Sequence, residues 1–528
     1  MKEITSSLYK FEDLINGNYV YVDKTEYIWN MIKSYKGMYF MSRPRRFGKS
    51  LTLSTIEAIF EGKKELFKGL AIYDKPYDWK PYSVIRLDMS GFDIQSLKDF
   101  RESLQELILE CGNKHGILLT PASPTIMFRR LISALTKNGQ VVILVDEYDK
   151  PILDSLGKPF AKRILESLKS FYTVIKTYSG DERFVFITGV SKFCHVSLFS
   201  GMNNPTDLTM RSEYATMLGY TQKEFESYFA KNITDAAKKL GIPRREFLQE
   251  MKRTYDGYRF EADSESVYNP VSIAKFFEPA KPKFDYYWFE TGTPSFLLNY
   301  CRKNNFDFEK ILTEPIPDIS FSAYEIDNIS PLALMFQTGY LTFKDSFIKN
   351  RRTYYHMQFP NDEVAWAFEV YLLNSYTGVQ TEDISSLASS IVDGIASGNA
   401  DEVLDIMKTF FARIPYPIQV EDEKYYQSLF YAIFVLLNID IEAEACTNSG
   451  RIDATAAAGD WRFIFEFKLN KTAEIALDQI EQKEYFQKYR RSGKRIMLVG
   501  ANFDFEKRQI SDWKAQEFKQ PRSSRRKS

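Results

Sequence analysis

The stretch that most narrows what this chain can fold into is 37–52, GMYFMSRPRRFGKSLT. Met38-Tyr39-Phe40-Met41 predicts a short buried strand, and Lys49-Ser50 opens an amphipathic helix that runs to about Phe60. Between them lies a turn-rich loop that carries Arg43, Arg45 and Arg46 and ends in Gly48. A strand, a loop and Gly-Lys-Ser at a helix start make a P-loop arrangement. A helix N-terminus offers free N–H groups and a positive dipole end to a phosphate, and glycine lets backbone approach it closely. Lys49 is then expected at the β- and γ-phosphates of ATP, and the Ser50 hydroxyl on Mg²⁺. The full pattern, G-x-x-x-x-G-K-[ST], puts its first glycine where this chain has Arg43. Taken alone, the stretch is also compatible with a plain helix start bearing an exposed lysine.

Independent support comes from 141–147, VVILVDE. An apolar, mostly β-branched run followed by two acids predicts a strand buried on both faces with carboxylates at its C-terminal end. Asp146 is expected to hold Mg²⁺ together with Ser50, and Glu147 to polarise the attacking water as a general base. Thr188 ends another buried strand, 183–189, as a candidate sensor of the γ-phosphate; a mere strand-terminal threonine is an equal reading. Of the arginines that face the choice between phosphate and an ordinary surface charge (Arg43, Arg45, Arg46 and Arg259), Arg46 is the one expected on phosphate. A strand at 83–89 and helices at 96–111, 123–138 and 161–178 alternate with these strands, which implies a parallel α/β sheet with ligands at the carboxyl ends.

At 528 residues the chain exceeds one core. Lys+Arg and Asp+Glu are both 70, so no whole-molecule field draws nucleic acid and any such binding needs a local patch. The cysteines (Cys111, Cys194, Cys301, Cys446) and histidines (His115, His195, His356) show no metal-ligand or disulfide spacing. Cys194 and His195 are adjacent, and adjacent side chains diverge on a strand or helix, which argues against a nucleophile–base pair. No apolar run approaches membrane-span length and the first residues lack a signal region, so a soluble, cytoplasmic protein without a membrane partner is expected.

Residues 18–25 alternate like a strand and end at Thr25, suited to cap a helix over 26–33. Beyond Tyr220 the pattern turns helical, at 222–230, 244–255 and 271–277, which suits a lid. Segments 330–344 and 364–375 suggest a connecting region, and the Ser- and Gly-richer 382–398 is the best linker candidate. The tail, 520–528, is basic and expected to be disordered.

Near the C-terminus, 423–437 predicts an apolar helix that starts at Glu423. Strands are expected at 442–445, 450–455 and 461–468, with a turn at Gly459-Asp460, followed by a helix at 473–489 and a strand at 494–501. Alternation puts Ile464, Glu466 and Lys468 on one strand face and Phe463, Phe465 and Phe467 on the other. The hairpin is expected to bring Asp453 beside Glu466. Two hard carboxylates bind Mg²⁺, the metal supplies hydroxide, and Lys468 orients water or neutralises charge. Glu423 is a further candidate ligand, and Gln479 is expected to line the site. An amphipathic surface hairpin with ordinary exposed charges is the competing reading.

The stretches 18–25 (NYVYVDKT), 42–50 (SRPRRFGKS), 145–150 (VDEYDK), 187–192 (ITGVSK), 199–204 (FSGMNN) and 255–260 (YDGYRF) resemble the bacterial AAA-ATPase-like family. Members often carry a C-terminal domain similar to PD-(D/E)xK nucleases, the pattern that Asp453 with Glu466-Phe467-Lys468 resembles. The resemblance implies that arginine in place of the first P-loop glycine is normal for the group. It implies an α/β fold with a P-loop AAA-type parallel sheet core and helical lid, plus a smaller C-terminal α/β restriction-endonuclease-like domain. The expected layout is a P-loop domain over 1–215, lid and connecting region over 216–375, nuclease-like domain over 376–515 and tail over 516–528. The expected function is an ATPase whose lid closure controls a Mg²⁺-dependent nuclease acting on DNA or RNA. The alternative is an ATP-dependent binding or signalling switch with a catalytically inactive nuclease-like domain. Protein partners and an oligomer stay open.

Overall fold

The computed structural model describes residues 2–192, 198–199, 205–288, 314–321, 330–412, 433, 440–443, 446–447, 450–451, 454–490, 492–504, 506–507 and 509–519. Glu423 and, except for residue 433, its expected helix, Asp453, the Cys194-His195 pair, most of 199–204 and the tail 520–528 lie outside them. The chain divides into two compact units. The first comprises Met1–Thr291 with Ile311–Val364, and the second Ala365–Ser528 with Gly292–Lys310.

The first unit is built on a parallel sheet of β1 (Gly37–Ser42), β2 (Ser83–Asp88), β3 (Val141–Asp146), β4 (Glu182–Gly189) and the short β5 (Thr206–Asp207), ordered β2-β3-β4-β1-β5. Every residue of β3 and β4 is buried, as the unbroken apolar runs require of strands covered on both faces. Parallel pairing brings Ser42, Asp88, Asp146 and Gly189, the last residues of four strands, to one edge. The helices Leu97–Lys114, Pro124–Leu135 and Ala161–Thr177 connect the strands, close to the expected spans.

Segment 18–25 is not a strand. Apart from one bridge between Tyr19 and Glu3, it runs unpaired to the helix Thr25–Ile32. Thr25 is that helix's first residue rather than its cap. Asp23 Oδ1 accepts from the Thr25 amide at 2.8 Å and from its hydroxyl at 2.7 Å, so the preceding acid supplies the capping acceptor.

The helices Gln222–Tyr228, Ala230–Leu240, Arg244–Tyr255 and Pro270–Phe277 follow, sharing a core of Phe225, Phe229, Phe247, Tyr255 and Phe276. Of the expected connecting segments, 330–344 holds the helix Pro331–Thr338 and the start of a strand, and 364–375 lies in the helix Asp362–Thr377; around them runs a sheet of β6 (Ile316–Pro317), β7 (Thr342–Lys349) and β8 (Arg352–Gln358), ordered β6-β8-β7. The β7–β8 turn uses Asn350 and Arg351, both at positive φ (52° and 62°), in place of the Asn-Gly that marks such turns in a sequence.

In the second unit, 382–398 is not a linker. It lies in the helix Thr381–Ser397, whose Ile384, Ile391 and Ile395 are buried while Ser386 and Ser389 face solvent. Those two serines belong to its wet face. The sheet comprises β9 (Asp440–Ala443), β12 (Ala454–Ala458), β13 (Trp461–Leu469), β14 (Arg495–Asp504) and β15 (Gln509–Glu517), ordered β15-β14-β13-β12-β9. A two-residue pair, β10 (Cys446–Thr447) and β11 (Gly450–Arg451), stands apart from it. The pair β13–β14 is parallel and the other pairs of the five-stranded sheet are antiparallel. With β13 central, Phe463, Ile464, Phe465 and Glu466 are all buried, so this is a core strand and not the edge of a surface hairpin.

Candidate functional site

The nucleotide site forms where β1 gives way to the helix Lys49–Phe60. Gly48 precedes it at φ 87°, with open space where a side chain would stand. That left-handed turn is why glycine occupies this position. Lys49 is buried, and its ammonium donates to the carbonyls of Arg43 and Pro44 at 3.0 Å each. Burial pulls its pKa down, while Glu147, Asp146 and Asp149 oppose that pull.

The structure brings Ser50 and Asp146 together, the Ser50 hydroxyl close enough to favour the charged Asp146 carboxylate. Asp146 Oδ1 also accepts from the Glu147 amide at 3.1 Å. Asp146 Oδ2 is buried without a hydrogen-bond partner among the described residues. A buried carboxylate oxygen left over beside a serine hydroxyl fits a hard cation with oxygen ligands. Burial raises the Asp146 pKa, opposed in part by Ser50 and Lys49. Glu147 is partly buried at φ 49°, a left-handed conformation that costs a non-glycine residue energy. Burial raises its pKa too, which suits a general base.

The loop arginines differ in their surroundings. Arg43 is fully buried: Nη1 donates to the carbonyls of Ser42 (2.9 Å) and Thr209 (2.8 Å), and Nη2 to Tyr214 O (3.1 Å). Its guanidinium lies 4.1 Å from the Phe260 ring centre, and burial pulls its pKa down to about 9. Arg43 thus ties the loop down where the usual motif has glycine. Arg45 is exposed. Arg46 is partly buried at φ 67°. Arg259 Nη1 donates to Lys344 O at 3.0 Å. The Thr188 hydroxyl donates to Met41 O at 2.8 Å, across the β1–β4 ladder.

Two buried acids beside this site escaped the sequence reading. Asp149 accepts from the Val190 amide (3.2 Å), the Ser191 amide (2.7 Å) and the Ser191 hydroxyl (2.7 Å), and so fixes the segment after β4. Its signal was the third acid of 145–150. Glu363 accepts from the Ser272 hydroxyl (2.9 Å) and the Trp288 amide (2.8 Å). Burial lifts its pKa to about 7, opposed in part by those bonds and by Arg46. Nothing in the sequence around Glu363 marks it.

The second constellation lies on β13. Glu466 is 1% exposed. Lys468 Nζ donates to Glu466 Oε1 at 2.7 Å, and Gln479 Nε2, from the helix Ala473–Gln482, donates to the same oxygen. The expected shared face of Ile464, Glu466 and Lys468, lined by Gln479, is therefore present. Gly500 sits opposite Glu466 on β14. A methyl group there would stand 2.5 Å from both Ala473 O and the Leu477 amide, so glycine lets the Gln479 helix press onto the sheet. Among the described residues no group of three or more His, Cys, Asp or Glu is placed to hold a metal; Asp453 and Glu423 lie outside them.

Residues 6–199 match the family described as "Predicted AAA-ATPase", and residues 421–513 match the PD-(D/E)XK nuclease superfamily. Over 522 residues, 96% of this chain and 98% of the relative, the sequence is 35% identical to the "Uncharacterized protein in vnfD 5'region" of Azotobacter chroococcum mcd 1. Among solved structures, the Aeropyrum pernix ORC2 protein (ADPNP-ADP complexes) aligns at TM-score 0.30 and 10% identity, over 81% of this chain and 91% of that one. A likeness so distant says nothing about function. The chain belongs to the predicted AAA-ATPase family and carries a C-terminal domain of the PD-(D/E)XK nuclease superfamily.

Proposed function

We propose that the chain is a Mg²⁺-dependent ATPase coupled to a Mg²⁺-dependent phosphodiesterase that acts on nucleic acid. The observation that carries the reading is the buried Glu466, approached by Lys468 from its own strand and by Gln479 from the facing helix. A buried carboxylate persists only when its partners or a ligand repay its lost hydration. Asp453, just before β12, is assigned as the second metal ligand, with Glu423 as a third. The ion would supply a bound hydroxide and charge for the phosphorane-like transition state. Lys468 would pass from Glu466 to the scissile phosphate or the attacking water as the carboxylate engages the ion.

In the first unit, Lys49 would exchange its bonds to Arg43 O and Pro44 O for the β- and γ-phosphates. Ser50 and Asp146 would hold Mg²⁺, Arg46 would face the phosphates, and Glu147 would accept the proton of the attacking water. Thr188 is kept as the γ-phosphate sensor, a role that requires its hydroxyl to turn from Met41 O. The 216–375 segment is proposed as the helical lid and connecting region, with boundaries to the P-loop and nuclease-like domains near 215 and 375.

The test is a Mg²⁺-dependent cleavage assay on single- and double-stranded DNA and RNA, with and without ATP. Cleavage of at least one substrate, abolished by EDTA, is expected. A protein that cleaves none of them, in Mg²⁺ or Mn²⁺, puts the binding or signalling switch in front.

A further inference from the structure

The β7–β8 ribbon has features that neither site above uses. From Lys344 to His356 no residue is buried, and beyond the short β6, which pairs with β8 at Tyr354 and Tyr355, the tip from Ile348 to Thr353 pairs only strand to strand among the described residues. Two strands alone are marginal in water, and only the tip beyond β6 is two-stranded. The tip bears two further local costs. Lys349 stands directly opposite Arg352, and like charges facing each other across a ladder destabilise it. Arg351 occupies a positive-φ turn position that glycine would take without strain. Both costs place cations at the tip, beside Ile348, which is 78% exposed.

Three cations, Lys349, Arg351 and Arg352, stand at the ribbon's tip, and its own acid, Asp345, lies further in. Going inward on one face, Lys349 and Arg352 come first, then the stacked rings of Phe347 and Tyr354 (centres 5.7 Å apart), then the Asp345–His356 pair at 2.5 Å. Among the described residues Asp318, Glu261 and Asp263 are felt at Tyr355, and Asp318 follows Pro317, which pairs with Tyr354. An anion at the tip would relieve the Lys349–Arg352 repulsion, while the acids further in would repel it.

We propose that the tip of the β7–β8 ribbon is a binding element for duplex DNA. The B-form major groove admits a two-stranded ribbon, whereas the A-form RNA major groove is too narrow for side chains to read. Lys349, Arg351 and Arg352 contact backbone phosphates, and Ile348 supplies an apolar contact to base edges such as the thymine methyl. In a chain of zero net charge, such a local patch is what nucleic-acid binding requires. The proposal extends the nucleic-acid reading above to a second surface.

Fluorescence anisotropy of a labelled duplex DNA with the full chain, titrated with salt in EDTA, tests it apart from any metal-dependent cleavage. The variant combining Lys349→Ser, Arg351→Gly and Arg352→Ser is expected to lose roughly tenfold or more in affinity at low salt. Its log–log salt slope should fall by about 3, close to one for each cation removed. Arg351→Gly alone should weaken binding without lowering the melting temperature, because glycine accepts the positive φ, so misfolding cannot explain the loss. An unchanged slope and affinity in the triple variant would overturn the proposal. So would a wild type that fails to bind duplex DNA, or one that prefers duplex RNA.

Discussion

Glu363 shows most sharply how a single residue can report on the fold's electrostatics. It is fully buried, and its pKa rises from 4.5 to about 7 because burial penalises the charged form. The folded protein therefore holds this proton more tightly than the unfolded chain does. The group's contribution to stability is complete below about pH 4.5 and is lost as pH rises through about 7. Glu363→Gln removes that loss. Thermal melts across pH 4 to 8 should show the variant gaining on wild type by up to about 3 kcal/mol at the alkaline end. Parallel melting curves for the two proteins would show that Glu363 is not held protonated. Residues of this kind were invisible in the sequence because their partners, Ser272 and Trp288, are distant along the chain. Asp146 and Ser50 were legible because a local pattern carries each one.

At the scale of elements, strands with unbroken apolar runs and helices with clear caps could be read directly. Ser96 accepts from the Asp99 amide ahead of Leu97–Lys114, and Asn269 caps Pro270–Phe277, where the sequence put those helix starts. Misreadings arose where local signals were borrowed by tertiary structure. Ser386 and Ser389 lie on the outer face of a helix packed against β12 and β13. The β7–β8 hairpin lacks the glycine that announces such turns. Gly500 gives an element-scale prediction. Gly500→Ala must push the helix Ala473–Gln482 off β14 and carry Gln479 away from Glu466. Overpacking of this kind costs about 1–3 kcal/mol. A lower melting transition is expected, together with a loss of any metal-dependent cleavage larger than the loss of ATP turnover. A variant as stable as wild type would show that the helix has room to spare.

For the molecule as a whole, the question is whether the second unit can fold without the first. Its sheet is covered on one side by Thr381–Ser397, with Trp461 against Gly398, and on the other by Ala473–Gln482. A fragment that begins between 365 and 380 keeps that helix and should be soluble with a cooperative melt. One that begins at 399 bares Phe463 and Phe465 and should aggregate. Aggregation of every fragment of the first kind would contradict an independent domain.

The central claim is that one chain holds two chemically separate metal-dependent sites, and one paired measurement tests it. ATP turnover and nucleic-acid cleavage are followed side by side in wild type, Lys49→Ala, Glu147→Gln, Asp453→Ala, Glu466→Ala and Lys468→Ala. Lys49→Ala should lose ATP binding, and Glu147→Gln should bind ATP without turnover. Asp453→Ala and Glu466→Ala should abolish cleavage with ATP turnover intact, and Lys468→Ala should cut slowly. Full cleavage by both Asp453→Ala and Glu466→Ala, or unimpaired ATP turnover by Lys49→Ala, would contradict the account.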